Sequence, residues 1–259
     1  MNNMHCFVIL AYKESPYLET CIKSCLNQKS DVKIATTTDN EYIRKLAEKY
    51  NLEIITNKHT NIGGDFDFAK NASTAELVTI AHQDDVYDKN YAEEIIKAYK
   101  KHKDASIIFS DYYEIRKNKK VETNINLKIK RILLFPAFIK KSLKSKFAKR
   151  WILRFGNAIC CPAVTFVSRN CPEKVFSSDF VCNVDWHAWE KLSKRNGKFV
   201  FIAKKLMGHR ISEESTTTEI INSGIRTKED YEIFSRFWSK GIAKILTKFY
   251  KKSEESNKL

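Results

Sequence analysis

Leu77-Val78-Thr79-Ile80-Ala81-His82-Gln83-Asp84-Asp85 is the stretch around which the rest of the chain is organised. Its first five residues are apolar or β-branched, which predicts a short buried strand. Two carboxylates follow the end of that strand, beside an amide and an imidazole. Adjacent acids in this position suit a divalent cation held against a diphosphate, but an Asp-Asp pair is also typical of a solvated turn. The rest of the sequence favours one of these two interpretations.

The composition indicates a globular, strongly basic protein. Of the 259 residues, 43% are hydrophobic and 12% are aromatic, which is enough for a substantial core. The formal net charge of +15 predicts attraction to something anionic, such as nucleic acid, anionic lipid or a phosphorylated substrate. No aromatic-basic recognition module of known pattern is present, which argues against nucleic acid as the partner.

The seven cysteines show no metal-binding pattern, because none forms a Cys-x-x-Cys pair and no histidines follow at zinc-site spacing. Their odd number and mostly apolar neighbours favour buried free thiols in a reducing cytosol. The amino-terminal residues lack the pattern of a secretory signal, and no apolar run approaches the ~20 residues that span a bilayer. The sequence therefore predicts a soluble or peripheral cytoplasmic protein.

Strand and helix patterns alternate along the first half of the chain. Apolar runs predict strands over 6–11, 32–36, 52–56 and 107–111, and amphipathic spacing predicts helices between them. This alternation implies right-handed crossovers and a doubly wound α/β fold with a mostly parallel sheet, which binds ligands beyond the carboxyl ends of its strands. The polar loops at 12–14 and 38–40 converge there with Gln83–Asp85, and this convergence favours the metal site.

The middle of the chain is a strongly basic segment. From Thr123 to Pro172 there is no Asp or Glu, and large apolar residues recur every four positions among lysines and arginines. The recurring residues are Ile139, Leu143, Phe147, Trp151 and Phe155. This pattern predicts a basic amphipathic helix at an anionic membrane surface, although a solvated basic face packed on the domain has the same pattern.

Two further stretches carry polar groups with more than one interpretation. Asp185 falls in the first turn of a helix that opens at Val184. It either stabilises the helix N-terminus or serves as a general base flanked by aromatic residues. Gly63-Gly64 allows a tight loop before a helix that carries Lys70 towards a phosphate, but its spacing matches no complete phosphate-binding motif.

Together these motifs resemble the family 2 glycosyltransferases with the GT-A fold. The resemblance rests on Phe7–Glu14, on Asn61-x-Gly63 leading to Lys70-Asn71, and on His82–Asp85. It continues with Asp185-Trp186-His187-Ala188-Trp189, which is similar to the acceptor-side motif, and with His209–Ser215, which is similar to an Arg-x-His-x-x-Ser loop. The motifs occur in the family's order and extend over about residues 5 to 217.

The resemblance implies an inverting transfer of a sugar from a nucleoside diphosphate, most simply UDP, to an acceptor hydroxyl. In such enzymes Asp185 would be the general base, and Asp84 and Asp85 would hold Mn²⁺ or Mg²⁺. Lys70 would lie near the diphosphate. The other residues matching the nucleotide-sugar-binding positions are Ala11, Tyr12, Glu14, Asp39, Asn61, His82 and Gln83.

The sequence departs from the family pattern at two positions. His82 replaces the first carboxylate of the usual Asp-x-Asp, and Ser212 stands where the family often has histidine. His209 is displaced by three residues from that position. Because imidazole prefers softer metals, we expect a weakened or altered metal dependence.

The resemblance also suggests a division of the chain and a cellular location. Residues 1–120 would form the nucleotide-sugar half, 121–217 the acceptor half with a basic insertion at about 127–155, and 218–259 C-terminal helices and a polar tail. Such enzymes often act on lipid-linked saccharides in cell-surface polysaccharide synthesis, which places this one on the inner face of the cell membrane. A nucleotidyltransferase on a related sheet, or a non-catalytic saccharide- or membrane-binding relative, would also fit the sequence.

Overall fold

The computed structural model describes residues 4–211 and 224–255. The strands in these ranges are β1 (His5–Ala11), β2 (Asp31–Thr36), β3 (Glu53–Thr56), β4 (Leu77–His82), β5 (Val86–Tyr87), β6 (Ala105–Arg116), β7 (Lys119–Val121), β8 (Ser142–Leu143), β9 (Val164–Val167) and β10 (Lys198–Ile211). The helices are α1 (Leu18–Leu26), α2 (Glu41–Tyr50), α3 (Ile62–Asn71), α4 (Tyr91–Lys101), α5 (Ile125–Leu133), α6 (Phe135–Lys140), α7 (Lys146–Trp151), α8 (Val184–Ser193), α9 (Ile225–Ser235) and α10 (Lys240–Glu255).

All of these strands belong to one sheet. Eight of them follow the order β3-β2-β1-β4-β9-β6-β10-β5, while β7 pairs with β6 and β8 pairs with β10. The long pairings, from β3 across to β4 and between β6 and β10, are parallel, as the alternation of strands and helices predicts. The antiparallel pairings are short, and one of them inserts β9 between β4 and β6. Residues from the predicted nucleotide-sugar half and acceptor half therefore share a single sheet.

Hydrophobic clusters cover both faces of this sheet. Along β1, Cys6 and Val8 face a cluster that includes residues of α3, α8 and α9, whereas Phe7 and Ile9 face a cluster with residues of α1, α2 and α4. A strand that is buried on both faces reads as a continuous apolar run, which is why the sequence shows no alternation there. The two helical layers leave the carboxyl ends of the parallel strands as the open edge.

The basic segment is not the single helix that its spacing predicts. Lys141 adopts a left-handed conformation (φ 57°) and ends α6. The next two residues form β8, which pairs with Phe199 and Val200 of β10 and buries Leu143. Helix α7 then starts afresh, with Ser145 as its N-cap. The prediction was wrong because pairing with the sheet outweighs the local helical pattern.

Much of the apolar surface of this segment is exposed. On α5 the buried Leu127 faces the sheet, while Ile125 and Ile132 on the outer side are 71% and 70% exposed. The residues that we call the outer apolar surface are Ile125, Ile129, Ile132, Phe135, Ile139, Phe147 and Trp151. Within the described ranges no helix combines the length and the apolar character needed to cross a bilayer.

Two buried carboxylates fix the loop between β9 and α8. Asp67 on α3 accepts hydrogen bonds from the backbone N–H groups of residues 175–177, at 2.7–3.0 Å. Glu229 on α9 accepts three more from residues 181–183, at 2.6–2.9 Å. Hydrogen bonds to a charged acceptor are among the stronger ones in proteins, so this loop presents α8 in a defined position. The predicted C-terminal helices therefore take part in building the fold.

The cysteines are free thiols, as the sequence predicts. Five of them are buried, and Cys171 and Cys182 are half-buried. Burial raises the pKa of the Cys160 and Cys161 thiols well above the ordinary value, so these side chains pack as neutral groups.

Candidate active site

The stretch that follows β4 brings three ionisable side chains together at the open edge of the sheet. Beyond His82 the chain turns sharply, and the Asp85 N–H donates to the His82 carbonyl at 3.2 Å. This turn gathers one ligand atom from each of His82, Asp84 and Asp85 within 4.8 Å of one another. The sequence placed all three residues at a strand end, and the structure confirms that placement.

Asp85 is anchored by the last residues of β10. Its carboxylate is fully buried and accepts the Arg210 N–H at 2.8 Å, and His209 Nδ1 lies 3.1 Å from the same oxygen. The Arg210 guanidinium donates to the Asp84 carbonyl at 2.9 Å and lies over the Tyr17 ring. The end of β10 is thus attached both to the side chain and to the backbone of the acidic turn.

The electrostatics of the cluster favour a cation. Burial and then the neighbouring charge of Asp85 raise the pKa of Asp84 above its ordinary value. Burial lowers the pKa of His82, against the charges of the two carboxylates. Burial also acts to lower the pKa of His209, but the charge and hydrogen bond of Asp85 outweigh it and raise that pKa. A bound divalent cation would relieve the repulsion between the two carboxylates.

The side chains present fit a divalent metal ion. His82 Nδ1 lies 4.0 Å from an Asp85 carboxylate oxygen, so the imidazole presents a ring nitrogen to the cluster. No other described residue donates a hydrogen bond to the Asp84 carboxylate. Carboxylates suit Mg²⁺ and Mn²⁺ alike, but an imidazole nitrogen in the set favours the softer Mn²⁺.

The loops predicted to hold the nucleotide lie at this same edge. Gln83 and Tyr12 exchange two hydrogen bonds, since the Tyr12 N–H donates to Gln83 Oε1 at 2.9 Å and Gln83 Nε2 donates to the Tyr12 carbonyl at 3.0 Å. Gln83 therefore fixes the loop after β1 with its amide. Ala11 is the buried last residue of β1, and Glu14 is exposed in the loop beyond it.

The loops after β2 and β3 complete this part of the edge. Asp39 is paired with Arg44 at 2.6 Å, and the hydrogen bond from that guanidinium lowers the pKa of Asp39. Asn61 is the N-cap of α3 and accepts the Gly64 N–H at 2.7 Å. The structure brings Asp39 and Asn61 to the predicted edge but shows both side chains already partnered.

Lys70 does not lie at this edge. It sits at the C-terminal end of α3, where it donates to Asn71 Oδ1 at 2.5 Å, and Asn71 in turn donates to the Glu173 carbonyl. A crossover helix runs back from the carboxyl edge to the amino edge of a parallel sheet, and ten helical residues span about 15 Å. The expectation that Lys70 contacts the diphosphate was therefore wrong. Gly63 and Gly64 lie in the first turn of α3 and not in the loop that the sequence predicts. Gly63 allows close packing there, because a Cβ on it would lie 2.5 Å from the Phe176 carbonyl oxygen.

Asp185 occupies the first turn of α8, and neutral donors hold its carboxylate. Asn157 Nδ2 donates to one oxygen at 2.6 Å, and the Trp186 N–H donates to the other at 2.7 Å. Burial raises the pKa of Asp185, and these two hydrogen bonds and the charges of Arg226 and Lys130 oppose that rise. Trp186 and Trp189 are fully buried core residues on the inner face of α8. A buried carboxylate whose proton affinity is raised suits a general base.

The two acidic centres face the same segment of the chain. The charges of Asp85 and Asp185 both act on the pKa of Cys160 and on that of Cys161, although burial is the larger influence on each thiol. Because such electrostatic effects fall off with distance, both carboxylates must lie near this pair. Asp85 and Asp185 therefore both lie within electrostatic range of Cys160 and Cys161.

Several residues of this site were not found from the sequence. His209 contacts Asp85 although its spacing does not match the family histidine, and Ser212 lies outside the described residues. Asn157, the partner of Asp185, carries no sequence signal because it is far from Asp185 along the chain. Asp65 is buried beside the Asp39 loop and is contacted by Thr37 and His59 at 3.1 and 2.7 Å.

An open sheet of this strand order, with an acidic cluster after its fourth strand, defines the GT-A class of glycosyltransferase folds. The sequence model described as "Glycosyl transferase family 2" matches residues 6–175, which is more than half of the chain. The chain therefore belongs to glycosyl transferase family 2. No curated protein sequence matches it significantly.

Solved structures with a similar fold include three of S. aureus TarS 1–349. The first shares 12% identity with this chain at a TM-score of 0.57, over 88% of this chain and 64% of that one. The complex with UDP-GlcNAc shares 11% identity at a TM-score of 0.58, and the match covers 91% of this chain and 72% of that one. The complex with UDP shares 13% identity at a TM-score of 0.56, and the match covers 90% of this chain and 70% of that one. This chain thus spans 64% of the first structure, and at these identities the likeness is one of fold.

Proposed function

We propose that this protein is an inverting glycosyltransferase that moves a sugar from a UDP-linked donor to a hydroxyl of a saccharide or lipid-linked saccharide. Membership of family 2 supports the reaction class, and the fold it shares with a TarS complex that contains UDP-GlcNAc supports the donor class. The single observation that carries the proposal is the cluster of His82, Asp84 and Asp85 at the end of β4. Asp185, a buried carboxylate with a raised pKa, is the candidate base that accompanies it.

In this proposal the loops after the first strands bind the nucleotide. The backbone around Ala11 and Tyr12, held by Gln83, would contact the base, and Glu14 lies next to it. Asp39 would contact the ribose, with Arg44 keeping its carboxylate ionised. Asn61 holds the start of α3 beside these loops.

Asp84 and Asp85, together with His82, would hold the divalent metal, and Mn²⁺ suits this set best. When bound, the metal supplies positive charge to the diphosphate of the donor. Asp85 is fixed by His209 and by the Arg210 N–H, so the end of β10 keeps the cluster in place before the donor arrives. Preorganisation of this kind lowers the cost of binding charge in the transition state.

Asp185 would take the proton of the acceptor hydroxyl. With that proton removed, the acceptor oxygen would attack the sugar opposite the departing diphosphate, which inverts the anomeric configuration. Burial raises the pKa of Asp185, which suits a group that must take up a proton. Asn157 and the Trp186 N–H orient the carboxylate without neutralising it.

We further propose that the outer apolar surface docks the protein on the anionic cytoplasmic face of the cell membrane, where lipid-linked acceptors of surface polysaccharides are made. The large side chains of this surface are exposed, including Phe147 at 71%. Lys140, Lys141, Lys144 and Lys146 are exposed beside them. Each basic group near an anionic leaflet contributes about 1 kcal/mol, so four of them with several apolar side chains suffice for reversible docking.

The function is tested by product analysis on the full chain. Incubation with UDP-, GDP- and dTDP-sugars, with and without Mn²⁺, should stabilise the protein against heat only with a UDP-sugar plus metal. Turnover should release UDP. Release of pyrophosphate would identify a nucleotidyltransferase, and no binding of any nucleotide-sugar would identify a non-catalytic relative.

Membrane docking is tested with liposomes. We expect vesicles rich in anionic lipid to sediment the protein at low salt, and a variant with Ile132→Ser and Phe147→Ser to remain in solution. Leu26→Ser, which changes an exposed apolar residue of α1, serves as the matched control. Equal sedimentation with neutral vesicles would contradict the electrostatic part of the proposal.

A further inference from the structure

Lys130 is a half-buried cation whose hydrogen-bonding capacity is largely unused. It lies on α5, where its Nζ donates to Tyr112 Oη at 2.8 Å and is 5.3 Å from the centre of the same ring. Among the described residues no carboxylate pairs with it. The buried Lys149 offers a contrast, because its ammonium donates to the backbone carbonyls of Arg195 and Gly197 at 2.6 and 2.8 Å. An ammonium has three donors, so Lys130 retains two for a ligand.

The neighbouring residues fix the orientation of Lys130. Arg131 pairs with Asp111 of β6 at 3.0 Å and also donates to the Tyr112 carbonyl at 3.1 Å. At the start of α5, Asn124 caps the helix and donates to Glu114 of β6 at 2.7 Å. With both ends of α5 attached to β6, the side of the helix that carries Lys130 must face the sheet.

A chain of contacts leads from Lys130 to the metal-binding cluster. The Tyr112 ring meets the His209 ring edge to face, with their centres 6.3 Å apart, and His209 Nδ1 lies 3.1 Å from Asp85. Through Tyr112 and His209 the ammonium is therefore linked by direct contacts to Asp85 of the metal-binding cluster.

Charge counting shows why the donor needs this cation. Asp84 and Asp85 carry two negative charges, which one divalent metal ion only balances. A further cation near the diphosphate would add to the charge of the metal and stabilise the negative charge that the diphosphate gains on departure. Lys70 lies at the opposite edge, and the Arg210 guanidinium is already used by the Asp84 carbonyl and Asn118 Oδ1.

We propose that Lys130 is a catalytic residue that contacts the diphosphate of the donor and stabilises the charge that develops on it as the sugar departs. The inference rests on the proposed function. In the step, the bond between C1 of the sugar and the diphosphate oxygen breaks, and its electron pair stays on that oxygen. The acceptor oxygen bonds to C1, its proton passes to Asp185, and Lys130 remains protonated throughout.

The test uses Lys130→Met and Lys130→Arg in the full chain, with Lys128→Met, an exposed lysine on the same helix, as the matched control. Calorimetry with Mn²⁺ present measures the Kd of UDP and of uridine, and UDP release from UDP-GlcNAc gives kcat and KM. We expect Lys130→Met to weaken UDP binding about tenfold or more and to leave uridine binding unchanged. Its kcat should fall further than KM rises, because the charge is largest in the transition state. Lys130→Arg should recover part of both losses, and Lys128→Met should behave like the wild type.

Other outcomes would overturn the inference. Equal losses for uridine and UDP would show that Lys130 has only a structural role, and unchanged UDP binding with unchanged kcat would remove the contact. Unchanged UDP binding together with lost transfer only to phosphate-bearing acceptors would assign the cation to the acceptor instead. Should Lys130→Met fail to fold, Tyr112→Phe provides the same comparison, since it removes only the hydroxyl that positions the ammonium. Failure of the wild type itself to bind UDP would refute the proposed function, and this separates the two failures.

Discussion

Asp85 and Asp185 are held in place by different kinds of neighbouring groups. Asp85 is fully buried and is held by a histidine and a backbone N–H from β10, next to a second carboxylate that no other described residue supports. The carboxylate of Asp185 instead accepts hydrogen bonds from a side-chain amide and from a backbone N–H. Both Asp84 and Asp185 have raised pKa values, with burial as the main cause, but only Asp84 has a close carboxylate neighbour that adds to it.

This difference separates two kinds of chemistry on one sheet edge. Adjacent carboxylates raise each other's proton affinity until a cation binds, so the cluster after β4 is suited to a metal. An isolated carboxylate with neutral donors keeps its affinity for a proton when the metal binds, so Asp185 is suited to proton transfer. Four substitutions can test whether the metal site and the proposed base act separately.

Asp185→Asn should abolish most of the transfer activity. We expect a fall in kcat of about 10²- to 10⁴-fold, because general-base catalysis contributes on that order. The Kd of UDP with Mn²⁺ should not change, since the substitution lies at the acceptor end. UDP release and calorimetry measure the two quantities, with Asp179→Asn, an exposed acid of the preceding loop, as the control. A wild-type rate would show that Asp185 is not the base.

Asp84→Asn should act through the metal. The Mn²⁺ concentration needed for half-maximal activity should rise by about tenfold or more, because a ligand is lost. The metal-free protein should be no less stable to heat, since the substitution also removes the repulsion with Asp85. Metal titrations and thermal melts check both, with Glu93→Gln on α4 as the control. An unchanged Mn²⁺ requirement would place the metal elsewhere.

Asn157→Ala should shift the pH dependence of the reaction. The Asn157 hydrogen bond stabilises the ionised Asp185 and so lowers its pKa, against the larger effect of burial. Without that bond the pKa rises, and the base is deprotonated only at higher pH. The acidic limb of the profile of kcat against pH should therefore move to higher pH, with a smaller loss of maximal rate than in Asp185→Asn. Asn126→Ala on α5 is the control, and a shift towards lower pH would contradict the assignment.

Glu229→Gln should have the smallest effect on the rate. A neutral amide oxygen replaces the carboxylate that accepts three backbone N–H groups before α8, which should lower the free energy of unfolding by about 1–3 kcal/mol. The looser loop should reduce kcat a few-fold, with the Kd of UDP unchanged. Glu232→Gln, at an exposed residue of the same helix, is the control for thermal unfolding and UDP release. If UDP binding weakens while kcat is retained, α9 supports the donor side instead.

The placements that the structure confirms, at the end of a strand and at the start of a helix, depend on local sequence patterns. The roles of these residues stay predictions. His82, Asp84 and Asp85 directly follow an apolar run, and Asp185 opens an amphipathic helix, so local patterns suffice to place them. Lys70 was misplaced because motif spacing took precedence over the direction of the helix, although a crossover helix must end at the opposite edge. The basic segment was misplaced for a different reason. Leu143 has a helical period in the sequence, but pairing with β10 buries it as part of a strand.

Local sequence patterns were enough to predict the doubly wound α/β fold, the polar loops at the carboxyl ends of its strands, and the acidic turn after β4. Each of these depends on interactions between residues that are near in sequence, such as hydrophobic periodicity and capping. Tertiary structure alone decided the partners of the charged groups, because hydrogen bonds and ion pairs act over a few ångströms and join residues far apart in sequence. His209 reaches Asp85, Asn157 reaches Asp185, and Lys130 reaches Tyr112 only after the sheet and its helices have assembled.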